Sequence, residues 1–169
     1  MIELAQAGDA GAFRDLLDRH YMTIYRMAFR FCGSQHDAED VTQLACIKVA
    51  DHLRDFRGQS AFTTWLYTIV LNTSRDWQRS QKRHSHGEID EEVSSGEQSP
   101  EQALSTRQQL AHINALPEVE REALLLVFGE GLTHKQAAEV LGCAESTVSW
   151  RIHEARKKLA AQEGERKHG

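Results

Sequence analysis

Few residues of this sequence stand at spacings that support catalysis or metal binding. Cys32 and His36 lie four positions apart, as two ligands on one helical turn would, but no second pair follows at a matching spacing. His84 and His86 stand in an acidic stretch and could bind a metal only adventitiously. The carboxylates at 88–92 have neither a nucleophile nor a phosphate-binding loop beside them. We therefore predict no metal, no cofactor and no enzymatic activity.

The residues between 62 and 83 indicate a different chemistry. On a helix, one side of this segment is apolar and consists of Phe62, Leu66, Ile69, Val70, Thr73 and Trp77. The opposite side is polar and basic, with Trp65 at its border, and consists of Thr64, Thr68, Asn72, Arg75, Arg79, Lys82 and Arg83. Basic groups bind phosphates, and an indole stacks on unpaired bases. The polar side is a candidate for binding single-stranded nucleic acid; the alternative is an ordinary solvated face.

Three helices would position this polar side. The first is predicted from about residue 10 to 32 and ends at Gly33. Its apolar face, with residues at steps of three and four, is Phe13, Leu16, Leu17, Tyr21, Ile24, Ala28 and Phe31. A second helix starts at Asp37 and turns inward Ala38, Val41, Ala45, Val49 and Leu53. Gly58 then interrupts the chain, and Ser60 is a candidate cap for the third helix, which runs to about Arg83.

The segment between 117 and 159 has the pattern of a helix-turn-helix. Pro117 suits the first turn of a helix, whose positive end would be loaded by Glu118, Glu120 and Glu122. The inward stripe of this helix would be Leu124, Val127 and Phe128. Thr133 and Gln136 have the spacing of a capping box that opens a short helix, and Gly142 supplies a tight turn after it. The next helix turns inward Val148, Ile152, Ala155 and Leu159. This arrangement reads the major groove in many proteins, although an ordinary pair of antiparallel helices is an alternative.

Length and charge indicate how these segments are organised. A chain of 169 residues has room for one medium domain or two very small ones. The net charge of −5 arises between residues 84 and 105, where six side chains are acidic, none is a lysine or an arginine and few are large and apolar. That composition is typical of a flexible linker. We predict an all-α protein of two small helical domains, 1–83 and 106–169, joined by the acidic linker 84–105.

The sequence also excludes several classes of protein. No apolar run reaches the roughly 18–20 residues of a membrane span, and the N-terminal segment lacks the basic residues of a secretory signal. The three cysteines lie far apart and have no CxxC spacing, which indicates reduced thiols. We expect a cytoplasmic protein with no membrane insertion.

Taken together, these segments resemble the sigma factors of bacterial RNA polymerase. The stretch from Asp37 to Gln43 and the stretch from Phe56 to Thr73 are similar to region 2. The stretches 116–128 and 132–159 are similar to region 4. Only a short tether separates the two regions, which resembles the extracytoplasmic-function (group IV) class, since that class lacks regions 1.1 and 3.

The resemblance implies a promoter-specificity subunit that acts with core RNA polymerase. In region 2, it implies docking on the clamp coiled coil of the β′ subunit through Asp40, Gln43, Leu44, Ile47 and Lys48. It also implies that a base flipped from the −10 element, and the melted strand beyond it, would be held by Arg57, Gln59, Ser60, Phe62, Trp65, Asn72, Arg75 and Arg79.

For region 4, the resemblance implies a contact with the β flap of the polymerase and recognition of the −35 element of promoter DNA. The residues facing DNA would be Ser146, Thr147, Ser149, Trp150, Arg151, His153 and Lys157. We further expect an anti-sigma factor that covers the apolar residues of the docking helix around Leu44 and Ile47.

Two other functions stay open at the level of sequence. A stand-alone helix-turn-helix regulator would need a ligand pocket or a phosphorylation site within residues 1–83. A small helical metal-dependent hydrolase would need clustered histidine and aspartate residues, which the spacing described above does not provide.

Overall fold

The computed structural model describes residues 1–84 and 108–167. In these ranges the secondary structure consists of α-helices, one 3₁₀ turn and one π turn, and there are no strands. The chain divides into two compact units, Met1–Glu92 and Val93–Gly169. The prediction of an all-α protein is confirmed. The predicted linker lies outside the described residues except for His84. Among the helices of the two described ranges, none combines the length and the apolar character that crossing a bilayer requires.

The first unit is built from three long helices and a short one. We name them α1 (Ile2–Gln6), α2 (Ala10–Cys32), α3 (Gln35–His52) and α4 (Phe62–His84), and a 3₁₀ turn, Leu53–Asp55, follows α3. Helices α2, α3 and α4 pack against one another in all three pairs, and α1 lies on α2. Their shared core includes Ile24, Met27, Ala28, Val41, Ala45, Val49, Leu66, Val70 and Leu71.

Local hydrogen bonds explain where α2 ends and α3 begins. Gly33 adopts the left-handed conformation with φ 79° and closes α2 as predicted, its N–H donating to the Phe29 carbonyl. Helix α3 begins at Gln35 rather than at Asp37, because the Ser34 hydroxyl accepts the Asp37 N–H at 3.2 Å and caps the helix there.

The start of α4 also differs from the prediction. Its first backbone bond runs from the Trp65 N–H to the Ala61 carbonyl at 3.2 Å, so the helix begins at Phe62. The Ser60 hydroxyl donates to the Ala61 carbonyl at 3.4 Å instead of accepting a backbone N–H. The cap proposed at Ser60 is therefore wrong.

The buried side of α4 is broader than its apolar stripe. Thr64, predicted on the polar side, is only 4% exposed, and Tyr67 and Leu71 are buried as well. The reason is that α4 contacts both α2 and α3, so two neighbours cover it. On α2, Tyr21 was predicted to face inward, but its side chain is exposed. Met27, which was not in the predicted apolar face, is fully buried.

The second unit is described from residue 108 onward. Its helices are α5 (108–114), α6 (Glu118–Leu124), α7 (His134–Leu141) and α8 (Glu145–Lys167). Both α6 and α7 pack against α8, and the buried residues include Leu116, Ala123, Leu124, Leu126, Ala137, Ala138, Val148, Ile152 and Ala155. The predicted capping box of Thr133 and Gln136 is present, and Gly142 ends α7 with φ 64°. These features confirm the helix-turn-helix pattern.

A π turn changes the inward stripe of this unit. Residues Leu125–Gly129 form one π-helical turn, in which the Glu130 N–H donates to the Leu125 carbonyl five positions back at 3.0 Å. The extra residue in this turn rotates the following side chains. Within the turn, Leu126 is buried, whereas Phe128 is 55% exposed and lies under the Arg156 guanidinium at 4.7 Å. The prediction that Phe128 faces inward is wrong.

A buried carboxylate joins α6 to α8. Of the three glutamates predicted at the start of this helix, Glu118 is exposed, whereas Glu120 and Glu122 are buried. The Lys158 Nζ donates to the Glu120 Oε1 at 2.6 Å, and the second carboxylate oxygen, Oε2, is buried without a hydrogen-bond partner. Lys158 is thus the cation that offsets burial of this charge.

We expect Lys158→Met to destabilise the second unit by about 1–3 kcal/mol, because it leaves a buried carboxylate without its charged donor. Urea denaturation of the full chain, followed by circular dichroism, measures the change. Lys157→Met alters an exposed neighbour and serves as the control. Equal stability of the two variants would contradict the role of the pair.

Candidate nucleic-acid and polymerase interfaces

A pocket of about 310 Å³ opens where the chain leaves the 3₁₀ turn and enters α4. Its lining consists of Asp55, Phe56, Arg57, Gln59, Ser60 and Trp65. Gly58, with φ 70°, turns the loop at this point in a conformation that strains other residues. An indole wall surrounded by guanidinium, amide, hydroxyl and carboxylate groups can stack on a flat ring and form hydrogen bonds to its edge.

Trp65 is held in the pocket wall by two other aromatic rings. Its centroid lies 5.4 Å from those of both Phe56 and Phe62, and these two phenyl rings meet edge to face at 5.4 Å. Phe62 does not line the pocket; it packs behind Trp65 against His20 at 5.1 Å. Burial, assisted by the charge of Arg19, lowers the pKa of His20, so this imidazole is neutral at pH 7.

Gln6 of α1 forms hydrogen bonds to the backbone that leads into the pocket loop. Its Nε2 donates to the Leu53 carbonyl at 2.9 Å and to the Phe56 carbonyl at 2.7 Å. The two carbonyls flank the segment that leads into the pocket. Sequence reasoning missed Gln6, because a glutamine in a short helix gives no local signal of a bond made about 50 residues away.

The polar side of α4 continues beyond the pocket. Trp65, Asn72 and Arg79 follow one another at steps of seven residues, which places them on one side of the helix about 10.5 Å apart along its axis. Asn72 is exposed, and its Oδ1 accepts from the half-buried Arg75 at 3.4 Å. Asn72, Arg75 and Arg79 thus extend the candidate surface beyond Trp65 as a row and do not themselves line the pocket.

Asp76 partly neutralises the positive charge of this row, and the sequence analysis did not identify it as part of the surface. Its carboxylate lies 3.6 Å from the Arg79 guanidinium and 3.1 Å from the Lys48 ammonium of α3. All three side chains are substantially exposed, so the ion pairs are weak and screened by salt. The polar side of α4 therefore carries less net positive charge than its arginines alone would indicate.

Helix α3 presents an apolar pair to solvent. Leu44 is 40% and Ile47 57% exposed, beside the exposed Gln43, while the other side of α3 is buried in the core. Asp40 is half-exposed next to His36 at 3.6 Å. Lys48 is also half-exposed and belongs to the ion pair with Asp76. The five residues predicted for docking thus form one accessible surface, which we call the α3 surface.

Cys46 lies beside the α3 surface but is half-buried. Burial raises the pKa of its thiol, so the sulfur stays protonated at neutral pH. No disulfide forms among the three cysteines, all of which lie within the described ranges. In these same ranges, no three histidine, cysteine, aspartate or glutamate side chains group as metal ligands would.

Helix α8 has an outer side that is exposed and an inner side that is buried. Its outer residues are Ser146, Ser149, Trp150, His153 and Lys157, all exposed, and Trp150 is 59% exposed. Two further residues of the predicted −35 set, Thr147 and Arg151, are half-buried, and the Arg151 Nη1 donates to the Cys143 Sγ at 3.8 Å. Val148, Ile152 and Ala155 fill the inner side as predicted.

A hydrogen bond links α8 to the first residue of α7. The Nδ1 atom of His134 lies 2.7 Å from the Ser149 Oγ, which is also 3.2 Å from the Glu145 carbonyl. His134 was not among the predicted site residues. Only the helix-turn-helix pattern could have indicated His134 from the sequence, because in that motif the first residue of the first helix lies close to the outer side of the second helix.

A second pocket, of about 410 Å³, lies where α1, the start of α2 and the end of α3 meet. Asp9, Asp51 and Arg54 are among its lining residues, and the Asp9 carboxylate already caps α2 by accepting the Ala12 N–H at 2.9 Å. None of the predicted site residues lines this pocket. We assign it no role.

Comparison with known proteins identifies the two units. Residues 16–84 match sigma-70 region 2, and residues 110–159 match sigma-70 region 4. The chain belongs to the sigma-70 family. A relative, the ECF RNA polymerase sigma-E factor of Escherichia coli (strain K12), is 34% identical, over 94% of this chain and 90% of that protein. The protein is thus an extracytoplasmic-function sigma factor that acts in transcription initiation, as predicted, and not an enzyme.

Two solved structures are also similar to this sigma factor. One is CnrH in complex with the cytosolic domain of CnrY, with a TM-score of 0.74 and 27% identity over 96% of this chain and 94% of that one. The other is the sigma factor RpoE in complex with the anti-sigma factor NepR from Bartonella quintana. Its TM-score is 0.73, with 26% identity over 88% of this chain and 94% of that one.

Gln6→Met should loosen the pocket loop, since it removes the donor to two carbonyls at a net cost of about 1–3 kcal/mol. Hydrogen exchange of the amides in residues 56–60 should accelerate. The matched control is Gln35→Met, because the Gln35 carboxamide bonds only the Glu39 side chain at the surface, at 3.0 Å. If exchange in the loop is the same in both variants, Gln6 does not hold it.

Proposed function

We propose that this sigma factor recognises promoters through two surfaces: the pocket at Trp65 together with the polar side of α4, and the outer side of α8. The domains would be region 2 in residues 1–83, region 4 in 106–169 and a tether in 84–105. The observation that carries the proposal is the pocket itself. Four of the residues predicted to capture a flipped −10 base, Arg57, Gln59, Ser60 and Trp65, line one cavity.

The energetics of base capture favour this pocket. Taking a base out of the stack costs a few kcal/mol, and stacking on an aromatic side chain returns roughly 1–3 kcal/mol for each base. Trp65 supplies the stacking surface, while Arg57 and Gln59 supply hydrogen-bond donors for the edge of the base. Together these contributions offset the cost of flipping.

Beyond the pocket, the melted strand would follow the polar side of α4. Asn72, Arg75 and Arg79 lie along that side and can bind successive sugars and phosphates. Because Asp76 shares the charge of Arg79, this contact is weak and depends on salt. Holding of the strand would therefore rely on stacking at Trp65 more than on charge.

The −35 element would be read by the outer side of α8, whose N-terminal half enters the major groove. Trp150 offers an apolar contact for a thymine methyl group, and His153 and Lys157 lie one and two turns further along the helix. The β flap of the polymerase would bind elsewhere on region 4.

The α3 surface would dock on the clamp coiled coil of the β′ subunit, and the protein would act in the cytoplasm, where core polymerase is found. The similar RpoE was solved bound to an anti-sigma factor. By analogy, an anti-sigma factor of this chain would cover Leu44 and Ile47, because exposed apolar side chains invite such occlusion.

Run-off transcription with purified core RNA polymerase and a promoter library tests the function as a whole. Addition of this protein should produce discrete transcripts that share −10 and −35 elements. A stand-alone regulator, in contrast, would produce none with core polymerase alone.

Leu44→Asp should weaken binding of core polymerase about tenfold or more, a loss of about 1.4 kcal/mol, because it places a charge within an apolar contact. Fluorescence anisotropy of the labelled chain measures the affinity. Leu4→Asp is the matched control, since Leu4 is an exposed leucine of α1, away from the α3 surface. Unchanged binding by Leu44→Asp would show that the α3 surface does not dock.

Trp65→Leu should keep much of the packing against Phe56 and Phe62 but remove the stacking surface. We expect about a fivefold to 150-fold loss of open complex, which corresponds to the roughly 1–3 kcal/mol of one stacked base. Permanganate reactivity of unpaired thymines measures opening, with polymerase binding unchanged.

Trp77→Leu is the control for this experiment, because Trp77 is a second half-buried tryptophan of α4 that does not line the pocket. Thermal unfolding of both variants accounts for any loss of stability. If folded Trp65→Leu opens promoters as well as Trp77→Leu does, Trp65 serves only the core.

A further inference from the structure

The hydroxyl of Ser149 lies between two groups of the protein on the outer side of α8. The His134 Nδ1 lies 2.7 Å away and the Glu145 carbonyl oxygen 3.2 Å away. A serine hydroxyl has one proton to donate and two lone pairs that accept. The two neighbours therefore decide what Ser149 can offer to a ligand.

Both protonation states of the His134 Nδ1 lead to the same result. If Nδ1 carries a proton, it donates to the Ser149 Oγ, and the hydroxyl proton goes to the Glu145 carbonyl. If Nδ1 is unprotonated, it accepts the hydroxyl proton itself. In either case the proton points into the protein, and at least one lone pair of Oγ remains available.

We propose that Ser149 reads an amino group on a base edge in the −35 element, and that His134 is the positioning residue that makes Ser149 an acceptor. The proposal rests on the function proposed above for α8. In the major groove, the amino groups are N6 of adenine and N4 of cytosine. Ser149 would therefore favour adenine or cytosine over thymine or guanine at one position of one strand.

The same geometry disfavours a phosphate contact by Ser149. Phosphate oxygens only accept hydrogen bonds, so a serine would have to donate its proton to them. That would require breaking the one hydrogen bond that the hydroxyl donates within the protein, to the Glu145 carbonyl or to the His134 Nδ1. Ser149 is thus assigned to base readout and not to the DNA backbone.

Selection of a randomised −35 library by the polymerase holoenzyme tests the proposal. With the wild-type chain, one position should favour adenine or cytosine by about two- to twelvefold, the equivalent of one net hydrogen bond. Ser149→Ala should abolish this preference and leave the other positions unchanged. His134→Ala should reduce it, because the Glu145 carbonyl alone then restrains the hydroxyl, which can more easily rotate and donate.

Lys135→Ala is the control for His134, since this neighbouring exposed residue makes no contact with Ser149 and should not alter the preference for any base. Thermal unfolding should be nearly the same in the three variants, because the side chains concerned lie at the surface.

Three results would overturn the inference. In the first, Ser149→Ala leaves every position unchanged while the wild type still selects a −35 sequence, so region 4 reads DNA without Ser149. In the second, Ser149→Ala weakens all sequences equally, as loss of a phosphate contact would. In the third, the wild-type holoenzyme selects no −35 sequence, and the proposed role of α8 fails together with the inference.

Discussion

Helix α4 must be buried along one side and remain polar along the other, and the first unit is arranged around this requirement. Both α2 and α3 pack against it. Two polar side chains on its buried arc are satisfied within the helix: the Thr73 and Ser74 hydroxyls donate to the carbonyls four residues earlier, at 2.7 and 2.8 Å. The exposed side is then free to present Asn72 and Arg79. Because one rigid helix has both roles, the packing that stabilises the unit also positions its candidate nucleic-acid surface.

The pocket at the start of α4 depends on contacts from elements remote in sequence. The rings of Phe56 and Phe62 support Trp65, and Gln6 of α1 binds the backbone on either side of the turn. Loops commonly carry binding residues on a rigid scaffold. Here the scaffold includes α1, which lies outside the matched region 2 segment. The short N-terminal helix is thus part of the support of the pocket.

In the second unit, too, one helix has two roles: the inner side of α8 packs against α6 and α7, and its outer side is the candidate DNA-binding surface. The small side chains Ala137 and Ala138 let α7 and α8 approach closely, and the Glu120–Lys158 pair connects α6 to α8. A carboxylate buried at such a seam is stable only with its cation. The outer side of α8 is consequently held by contacts on its inner side and by His134 at the start of α7.

The features that the sequence predicted correctly are those that depend on residues within one or two helical turns. The extent of α2, its end at Gly33, the capping box of Thr133 and Gln136, and the turn at Gly142 all follow from local hydrogen bonds and backbone conformation. Apolar periodicity identified the inner side of α8 for the same reason. The sigma-factor family, too, could be inferred from the order of its motifs.

By itself, then, the sequence determined six of the helices, α2, α3, α4, α6, α7 and α8, several of their ends and the family, whereas it gave no prediction of α1 or α5. The exposure of Phe128 goes with a local π turn that the apolar spacing does not indicate. Tertiary structure alone decided that Thr64 is buried, because that burial depends on a second neighbouring helix. It also decided that Gln6 binds the loop and that His134 binds Ser149. Such contacts join residues far apart in the chain, and no local pattern specifies them; they arise only once the packing of the helices has brought their side chains together.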